Sequence, residues 1–468
     1  MAMRISYVIP TLPHRMRCLV IAVGLVAVAE VAAAQSSAER AFESARGWTV
    51  YVRTSITRPF IEDEPGSLAG AGILVDSAHG WILTNAHVAS HSYSEVTVEF
   101  RGEKSLRAKP VYVDPYLDIA VIAYDPSEMK TPRREADLEC RDLPAVGHPV
   151  GAFGHPWGFR FTGTRGITSA KTSRFGPDML QTDAAINGGN SGGPLISLET
   201  GRVLAVNTLS MQKDKAQGLS FAVPMPLVCT VLNELRQGKN PSPPAHLVDF
   251  AVNESRERTL IVANSRLPTG TLDLRAGDEV LAVGPEGAAV QTEAELVDRL
   301  RGRLDNVTLR VNRNGSSVSL HGSWPAAPLI TQRHALWING AMFSAPEPQY
   351  SALVTGSLAL MVHYIEPGSE AEARQIAMFD LLESANGKVM RSLDDLESLA
   401  RQAALDGKDL DLLLLRFADG NSRDLFFHQL RSLSPGDIEQ VGPAESRVAR
   451  ASGVMGDTID KSVTAQRQ

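Results

Sequence analysis

Short runs of β-branched and apolar residues, separated by glycine and proline, fill the first half of the chain and constrain its fold more than any other feature. They lie between Trp48 and Pro224, and examples are Trp48–Val52, Gly72–Val75, Val96–Phe100, Ile119–Ile122 and Val203–Val206. Short strands between turn residues are typical of all-β barrels and sandwiches, not of alternating strands and helices. We therefore predict a mainly β domain over residues 40–238, closed by a helical stretch at Pro226–Arg236.

The length of 468 residues predicts about three folded units. A hydrophobic content of 43% and a charged content of 21% are ordinary for folded domains. The proline-rich segment Gly238–Pro244 favours an extended linker and marks a domain boundary. A net charge of -7 provides no basic field for phosphate backbones, which argues against nucleic acid as a partner.

Two similar modules are predicted behind this boundary, at residues 246–322 and 333–430, with a polar tail at 431–468. In the first, a helix at Thr292–Leu300 precedes two alternating runs joined by Asn314-Gly315, a strong hairpin signal because both residues tolerate positive φ. The second repeats this order, with a helix at Ser392–Leu405 and a strand at Leu410–Phe417. Tandem modules of mixed α and β structure are therefore expected.

Residues 1–34 have the pattern of a cleaved export signal. Three arginines precede the apolar run Cys18–Ala29, and Ala32–Ala34 offers the small residues that a signal peptidase recognises before Gln35. The apolar run is shorter than the roughly 20 residues that span a bilayer, so an uncleaved membrane anchor is the lesser alternative. We expect export to the periplasm.

Removal of this segment leaves Cys140 and Cys229 as the remaining cysteines. Two thiols cannot form a four-cysteine zinc site, and neither has a second cysteine at metal or redox spacing, so no metal or other cofactor is expected. In an oxidising compartment the two could form a disulfide, and two unpaired buried thiols are the alternative.

The segment Gly188–Leu195 contains the strongest candidate nucleophile, Ser191. A serine hydroxyl needs a base that takes its proton and N–H donors that stabilise the resulting oxyanion. The neighbouring glycines let the backbone curl, so the N–H groups of Gly189 and Ser191 are the candidate oxyanion hole. A glycine-rich turn around serine is by itself more often just a turn.

His87 and Asp118 are the candidate base and its orienting acid. His87 follows the apparent strand Ile82–Thr84, and Asp118 directly precedes the strand that starts at Ile119, positions that are rigid yet accessible. Other histidines of the region are expected to be surface or core residues; these are His79, His91, His148 and His155. Asp114 and Asp183 are read as turn residues.

The sequence Gly189–Gly193 also fits the G-x-S-x-G pattern of α/β-hydrolases. In that fold the serine is followed by a helix and precedes its acid and histidine. Here the candidate histidine and acid precede the serine, and Pro194–Ile196 continues as strand. The order histidine, aspartate, serine instead matches the chymotrypsin arrangement.

Together, the segments Thr84–Val88, Asp118–Val121, Gln181–Asn187, Gly189–Leu195 and Phe221–Pro224 resemble the HtrA/DegP family of exported trypsin-like serine proteases with C-terminal PDZ domains. The resemblance covers nearly the whole chain after the signal. It implies a chymotrypsin-like double β-barrel followed by two PDZ-like α+β domains, a homotrimer or higher oligomer, and cleavage of misfolded or regulatory exported proteins. It also implies His87 as general base, Asp118 as its partner, Ser191 as nucleophile and Gly189 as an oxyanion donor.

Two positions near the serine refine this hypothesis. Asn190 replaces the aspartate that pairs with a newly cut N-terminus in digestive relatives, which argues against zymogen-style activation. Ala185 lies six residues before Ser191, where related proteases that cut after basic residues place an acid. A small uncharged residue there cannot compensate a buried lysine or arginine, so we predict an S1 pocket that takes apolar P1 side chains.

The two modules depart from the family pattern at two places. Leu274–Leu281 resembles a PDZ turn and strand, but the usual glycine-containing carboxylate loop is not evident before Leu260–Val262. Ile376–Asp380 replaces the expected Gly-Asp turn in the second module, which is therefore divergent. Binding of protein C-termini or unfolded polypeptides by these modules is one expectation, and a structural spacer is the other. A catalytically silent chaperone or peptide-binding protein that retains the fold is the alternative to an active endopeptidase.

Overall fold

The computed structural model describes residues 37–172, 177–210, 219–253, 259–346, 360–419 and 422–443. The predicted signal at 1–34 lies outside the described residues. No helix within these ranges combines the length and apolar character needed to cross a membrane.

The chain first forms helix α1 (37–48) and then a closed six-stranded barrel in the order β1-β2-β3-β6-β5-β4. Its strands are β1 (Thr49–Ile56), β2 (Gly66–Asp76), β3 (Trp81–Thr84), β4 (Ser94–Phe100), β5 (Leu106–Asp114) and β6 (Ile119–Tyr124), with the single-turn helix α2 (Ala86–Ala89) after β3. Inward-facing apolar side chains from every strand fill the interior, as strand alternation requires.

A second closed barrel follows in the order β10-β11-β12-β9-β8-β7. Its strands are β7 (Pro149–Gly154), β8 (Thr162–Thr172), β9 (Met179–Thr182), β10 (Pro194–Ser197), β11 (Val203–Ser210) and β12 (Ser220–Pro224). Helix α3 (Met225–Arg236) closes this region as predicted and packs its apolar face on a core cluster to which both barrels contribute. The expected double β-barrel is confirmed.

Cys140 and Cys229 form a disulfide, with their Cα atoms 5.7 Å apart. Cys140 lies in the connection between the two barrels, and Cys229 lies in α3. The alternative of two free thiols was therefore wrong.

The proline-rich segment after α3 is irregular, as predicted, but it is not a solvated spacer. Pro241, Ser242 and Pro243 are buried, and the Ala327 N–H donates to the Pro243 carbonyl at 2.9 Å. The segment therefore forms a fixed connection between the second barrel and the next sheet.

The third sheet has the order β13-β14-β15-β17-β18, with β16 paired to β15. Its elements are β13 (Val248–Asn253), β14 (Thr259–Ser265), β15 (Glu279–Val283), β16 (Ala288–Ala289), α4 (Glu293–Leu300), β17 (Val307–Arg313) and β18 (Ser316–Gly322). Thr292 caps α4 by accepting from the Glu295 N–H at 3.1 Å. Asn314 and Gly315 both have positive φ in the β17–β18 turn, which confirms the predicted hairpin.

The fourth sheet has the order β25-β24-β22-β21-β20-β19-β26, with β23 paired to β22. Its elements are β19 (Ala335–Ile338), β20 (Ala341–Ser344), β21 (Leu360–Ile365), α5 (Glu370–Ala373), β22 (Leu381–Ala385), β23 (Lys388–Val389), α6 (Leu393–Asp406), β24 (Leu410–Asp419), β25 (Ser422–Leu433) and β26 (Ile438–Val441).

The predicted start of a polar tail at residue 431 was wrong. Leu433 is fully buried, and β26 pairs with β19 from Ala335↔Val441 to Ile338↔Ile438. The polar composition of this segment concealed a strand at the edge of a sheet, where one face and one edge meet solvent. The rest of the predicted tail, from residue 444, lies outside the described residues.

The two C-terminal sheets repeat one construction around a buried aspartate. In the first, the Val262 N–H donates to the Asp278 carbonyl, the Gly277 N–H donates to Val262, and Arg313 pairs with the Asp278 carboxylate at 2.7 Å. Four equivalent residues form the same bonds in the second, namely Val362, Phe379, Asp380 and Arg416. These bonds match β14 with β21, β15 with β22, and β17 with β24.

Candidate active site

His87 and Asp118 meet at one end of the first barrel. Strands β3 and β6 are neighbours, with Thr84 opposite Ala120, so the residues after β3 and before β6 lie side by side. His87 Nδ1 lies 2.9 Å from Asp118 Oδ2, and the His87 backbone N–H donates to Oδ1 at 3.1 Å. The Asn85 side-chain amide also donates to the Asp118 carbonyl, at 2.7 Å. Asp118 is thereby held at φ 53°, the left-handed conformation of a tight turn.

Ser191 reaches the same cleft from the second barrel. It lies between β9 and β10, and its carbonyl accepts from the Ala71 N–H of β2 at 2.8 Å, which ties the two barrels together. Its Oγ donates to the Thr208 carbonyl at 3.3 Å, and within the described ranges it has no hydrogen bond to His87. Proton transfer from Ser191 to His87 would therefore require the hydroxyl to move, and such bonds often tighten only when substrate binds.

Thr208, in β11, is a site residue that the sequence did not reveal. Its Oγ1 donates to Asp118 Oδ2, and its carbonyl is the acceptor for Ser191. It is buried, although it lies in the cleft between the barrels. A threonine inside a strand has no distinguishing signal, because strands are rich in threonine for packing reasons alone.

The backbone at Gly189 has the conformation that an oxyanion hole requires. Gly189 has φ 102°, and the Gly188 carbonyl accepts from the Trp157 N–H at 2.9 Å. Because the peptide group is planar and trans, the Gly189 N–H points to the opposite side, away from Trp157. The Gly189 and Ser191 N–H groups have no hydrogen-bond partner in the described part of the chain, so both donors are available to an oxyanion.

His155 supports this loop from beneath and does not act as a base. It is 1% exposed, and its backbone N–H donates to the Gly189 carbonyl at 3.0 Å. Its Nδ1 accepts from the Phe161 N–H at 3.1 Å, so the neutral ring carries its proton on Nε2. Burial, assisted by the nearby Arg160 charge, lowers the pKa of His155 to about 4.

The other candidate histidines and aspartates have local partners. His79 pairs with Asp76, His91 with Asp63, and His148 Nε2 with the Ser197 hydroxyl. Asp183 accepts from the Ile167 N–H at 2.6 Å and thereby joins its loop to β8. Asp114 is more than a turn residue, because it forms a buried ion pair with Arg301 of the third sheet at 2.6 Å.

Ala185 and Asn190 lie next to each other in the loop between β9 and β10, which also contains Ser191. The Ala185 side chain is exposed, while its carbonyl accepts from Thr164 Oγ1 at 2.9 Å and from the Asn190 amide at 3.5 Å. Asn190 is buried and neutral, and its hydrogen bond to Ala185 joins two parts of the loop between β9 and β10. Residues 211–218, which follow β11, lie outside the described residues.

No group of three or more His, Cys, Asp or Glu side chains arranged to hold a metal ion occurs among the residues placed by the structure.

Comparisons with known proteins agree with this geometry. The trypsin-like peptidase domain matches residues 70–206, which include the three candidate catalytic residues. A probable periplasmic serine endoprotease DegP-like from Halomonas elongata is 33% identical over 278 residues, 55% of this chain and 56% of the relative. Its namesake from Hahella chejuensis is 27% identical over 383 residues, 74% of this chain and 78% of the relative.

A solved structure titled HtrA-type protease AlgW with tripeptide has the same architecture. It is 25% identical, with a TM-score of 0.52, and the match covers 62% of this chain and 97% of that one. The double barrel and the residues in its cleft define a trypsin-like serine peptidase. Among these peptidases, the chain is similar to the DegP-like endoproteases and to the HtrA-type protease.

Proposed function

We propose that the chain is an active serine endopeptidase that cleaves exported polypeptides, with Ser191, His87 and Asp118 as its catalytic residues. The main support is the position of the His87–Asp118 pair of one barrel opposite Ser191 of the other, beside two free N–H donors. His87 takes the serine proton as Ser191 attacks the scissile carbonyl, and Asp118 stabilises the imidazolium. The Gly189 and Ser191 N–H groups bind the oxyanion, and the C–N bond breaks as the His87 imidazolium gives its proton to the leaving amine. Water, deprotonated by His87, then hydrolyses the acyl-enzyme and frees Ser191.

Digestion of casein by the mature chain and by Ser191→Ala tests this proposal. We expect cleavage by the wild type and none by the variant, because the variant lacks the nucleophile. Its fold should be intact, so a loss of cleavage reports on the hydroxyl alone. Equal cleavage by both proteins would sink the proposal. Absence of cleavage by both, with suppression of aggregation of a denatured client, would favour the silent chaperone.

An apolar preference at P1 is the second part of the proposal. Ala185 offers no carboxylate to a basic P1 side chain, and an unpaired buried charge is costly. Profiling with a peptide library should give little cleavage after lysine or arginine. Dominant cleavage after basic residues would reject this role of Ala185.

The periplasm is the proposed compartment. Both curated relatives are named as periplasmic endoproteases, and the disulfide is typical of an oxidising compartment.

The substrates proposed are misfolded or regulatory exported proteins, and the proposed assembly is a homotrimer. N-terminal sequencing of protein from the periplasmic fraction should start at Gln35, and light scattering of that protein should give three times the chain mass.

The two C-terminal sheets are proposed to be PDZ-like domains that differ in function. In the first, β13 is an edge strand whose outer side pairs with no other strand among the described residues, so a peptide can add there as a further strand. In the second, β20 occupies the equivalent position, but β19 pairs with it over Ala335–Ile338 and β26 covers β19 in turn. The first module is therefore the proposed binder of protein C-termini, and the second is closed by the chain's own strands.

Photo-crosslinking of peptides with a free C-terminus to the full chain distinguishes the modules. Labels should map to the segment 246–265 and be absent from 335–346. Labelling that is concentrated in the second segment would contradict this assignment.

A further inference from the structure

The ion pair between Arg301 and Asp114 joins two elements that are far apart in the sequence. It is completely enclosed. The Arg301 side chain is 1% exposed and the Asp114 side chain 0%, with Nη1 and Oδ2 at 2.6 Å. Arg301 directly follows the last residue of α4 in the third sheet, whereas Asp114 ends β5 of the first barrel. Burial of both charges is costly, so each depends on the other for compensation.

Asp114 organises the turn that presents Asp118. Its Oδ1 accepts from the Leu117 N–H at 3.0 Å, and its Oδ2 accepts from the Tyr112 hydroxyl at 2.9 Å as well as from Arg301. The turn between β5 and β6 consists of four residues, 115–118, because Asp114 pairs with Ile119 across the hairpin. The carboxylate at the start of the turn therefore fixes the backbone that ends at Asp118.

Arg301 contacts the turn with a single nitrogen. Nη1 donates both to Asp114 Oδ2 and to the Pro241 carbonyl, at 2.8 Å in the second case. Its Nε and Nη2 are buried and have no hydrogen-bond partner in the described ranges. The position at the carboxyl end of α4 also suits a cation, because the helix dipole is negative there.

We infer that Arg301 is a positioning residue of the active site: through Asp114 it fixes the turn that holds Asp118 against His87. The first C-terminal module thereby contributes a side chain to the alignment of the catalytic acid. This inference rests on the proposed peptidase function, since its kinetic effect is visible only in an active enzyme.

Kinetics of the full-length mature chain on a short fluorogenic peptide with an apolar P1 residue test the inference. For Arg301→Met we expect kcat per titrated active site to fall about 10- to 100-fold, with KM within about twofold, because a misplaced acid impairs the reaction more than substrate binding. Arg301→Lys should stay within about threefold of wild type, since one ammonium can replace Nη1 in both bonds. Arg303→Met is the control, because Arg303 is exposed, and it should match wild type.

A double variant separates positioning from loss of stability. Arg301→Met combined with Asp114→Asn leaves no unpaired buried charge and keeps the acceptor for the Leu117 N–H. Its kcat should lie between those of Arg301→Met and wild type. If Arg301→Met does not fold, the double variant takes its place, with kcat at least about fivefold below wild type expected. Wild-type kcat in whichever of these variants is folded overturns the inference.

A measurement without turnover distinguishes this inference from the proposed function. In the Ser191→Ala background, the His87 Nδ1–H that bonds Asp118 should give a low-field proton resonance. The resonance should persist with Arg301→Lys and disappear with Arg301→Met. If the wild type cleaves nothing but the resonance behaves in this way, the proposed function fails and the inference about Arg301 stands. Persistence of the resonance in folded Arg301→Met contradicts the inference.

Discussion

The Asp118 carboxylate accepts hydrogen bonds from three donors: the His87 ring, the His87 backbone and the Thr208 hydroxyl. Two of these come from a residue that the sequence motifs already indicated. The third comes from the other barrel, and no local pattern connects Thr208 with Asp118, which lies 90 residues earlier. Motifs thus indicated the candidate catalytic residues, whereas the hydroxyl that bonds Asp118 was found only from the three-dimensional pairing of the barrels.

Replacement of Thr208 by valine should reduce kcat about tenfold, the effect expected from loss of one hydrogen bond to a charged group. Valine has nearly the same shape, so packing in β11 is preserved. Thr208→Ser keeps the hydroxyl and should retain most of the activity. Steady-state kinetics on a peptide substrate provide the measurement, and equal kcat values for the valine and serine variants would contradict a role for the hydroxyl.

His155 makes stability depend on pH in a definite direction. Burial lowers the pKa of the folded ring from 6.5 to about 4, so between these values the unfolded chain binds a proton that the folded chain does not. Stability from this residue is therefore complete above about pH 6.5 and is lost as the pH falls towards 4, by up to about 3 kcal/mol. His363, whose pKa burial also lowers to about 4, acts in the same direction.

The measurement is the urea midpoint of wild type and His155→Gln between pH 4 and 7. The variant should lose less stability over this range than wild type. Burial raises the pKa of Asp178, Glu293 and Asp298, which act in the opposite direction, so the difference between the two proteins is the informative quantity. Parallel curves for the two proteins would show that His155 is not the titrating group.

At the scale of elements, the sequence predicted most helices and strands but not every conformation within them. The hairpin at Asn314-Gly315, the cap of α4 and the existence of helix α6 follow from local chemistry, and the structure confirms them. The turn before β22 looked divergent because Phe379 replaces a glycine. Yet Phe379 adopts φ 71° where Gly277 has φ 88°, in a turn that the buried Asp380 carboxylate joins by accepting from the Ala377 N–H and from Arg416. Tertiary contacts here outweigh the residue's own preference.

The serine loop offers a matched pair of glycines for a test. A Cβ at position 189 would overlap the His155 carbonyl oxygen, and the substituted residue would have to adopt φ 102°. Gly188 has open space around it. Gly189→Ala should therefore displace an oxyanion donor and reduce kcat by about 100-fold or more, whereas Gly188→Ala should remain within a few-fold of wild type. Similar kcat values for the two variants would disprove the assignment of Gly189.

At the scale of the molecule, both C-terminal modules pack against the first barrel. Arg301 of the first module reaches Asp114, and the second module packs Trp337 and Tyr364 around Phe60, in the connection between β1 and β2. Phe60 also contacts the His363 ring edge-on at a centroid distance of 5.3 Å. The length and the repeated order of elements predicted the number of modules. The Arg301–Asp114 contact, however, joins residues 187 positions apart, and the Phe60 contacts join residues still farther apart, for which a single sequence contains no signal.

Truncation of Phe60 should loosen the second module. Phe60 is 1% exposed, so Phe60→Ala should destabilise the protein by about 3–5 kcal/mol through lost burial and a new cavity. Phe426 is 54% exposed, and Phe426→Ala should change stability by less than about 0.5 kcal/mol. Urea unfolding gives the comparison. Equal midpoints for the two variants would indicate that Phe60 does not support the module.

The Cys140–Cys229 disulfide closes a covalent ring of the chain. This ring contains Ser191, the loop around it and all six strands of the second barrel. A single cut anywhere in that ring, by the enzyme itself or by a neighbouring protease, opens the ring but releases no fragment. The nicked molecule keeps its full mass on a non-reducing gel and separates into two pieces only after a thiol is added. Damage that would detach the second barrel in a reducing compartment thus leaves the molecule in one piece wherever the disulfide persists.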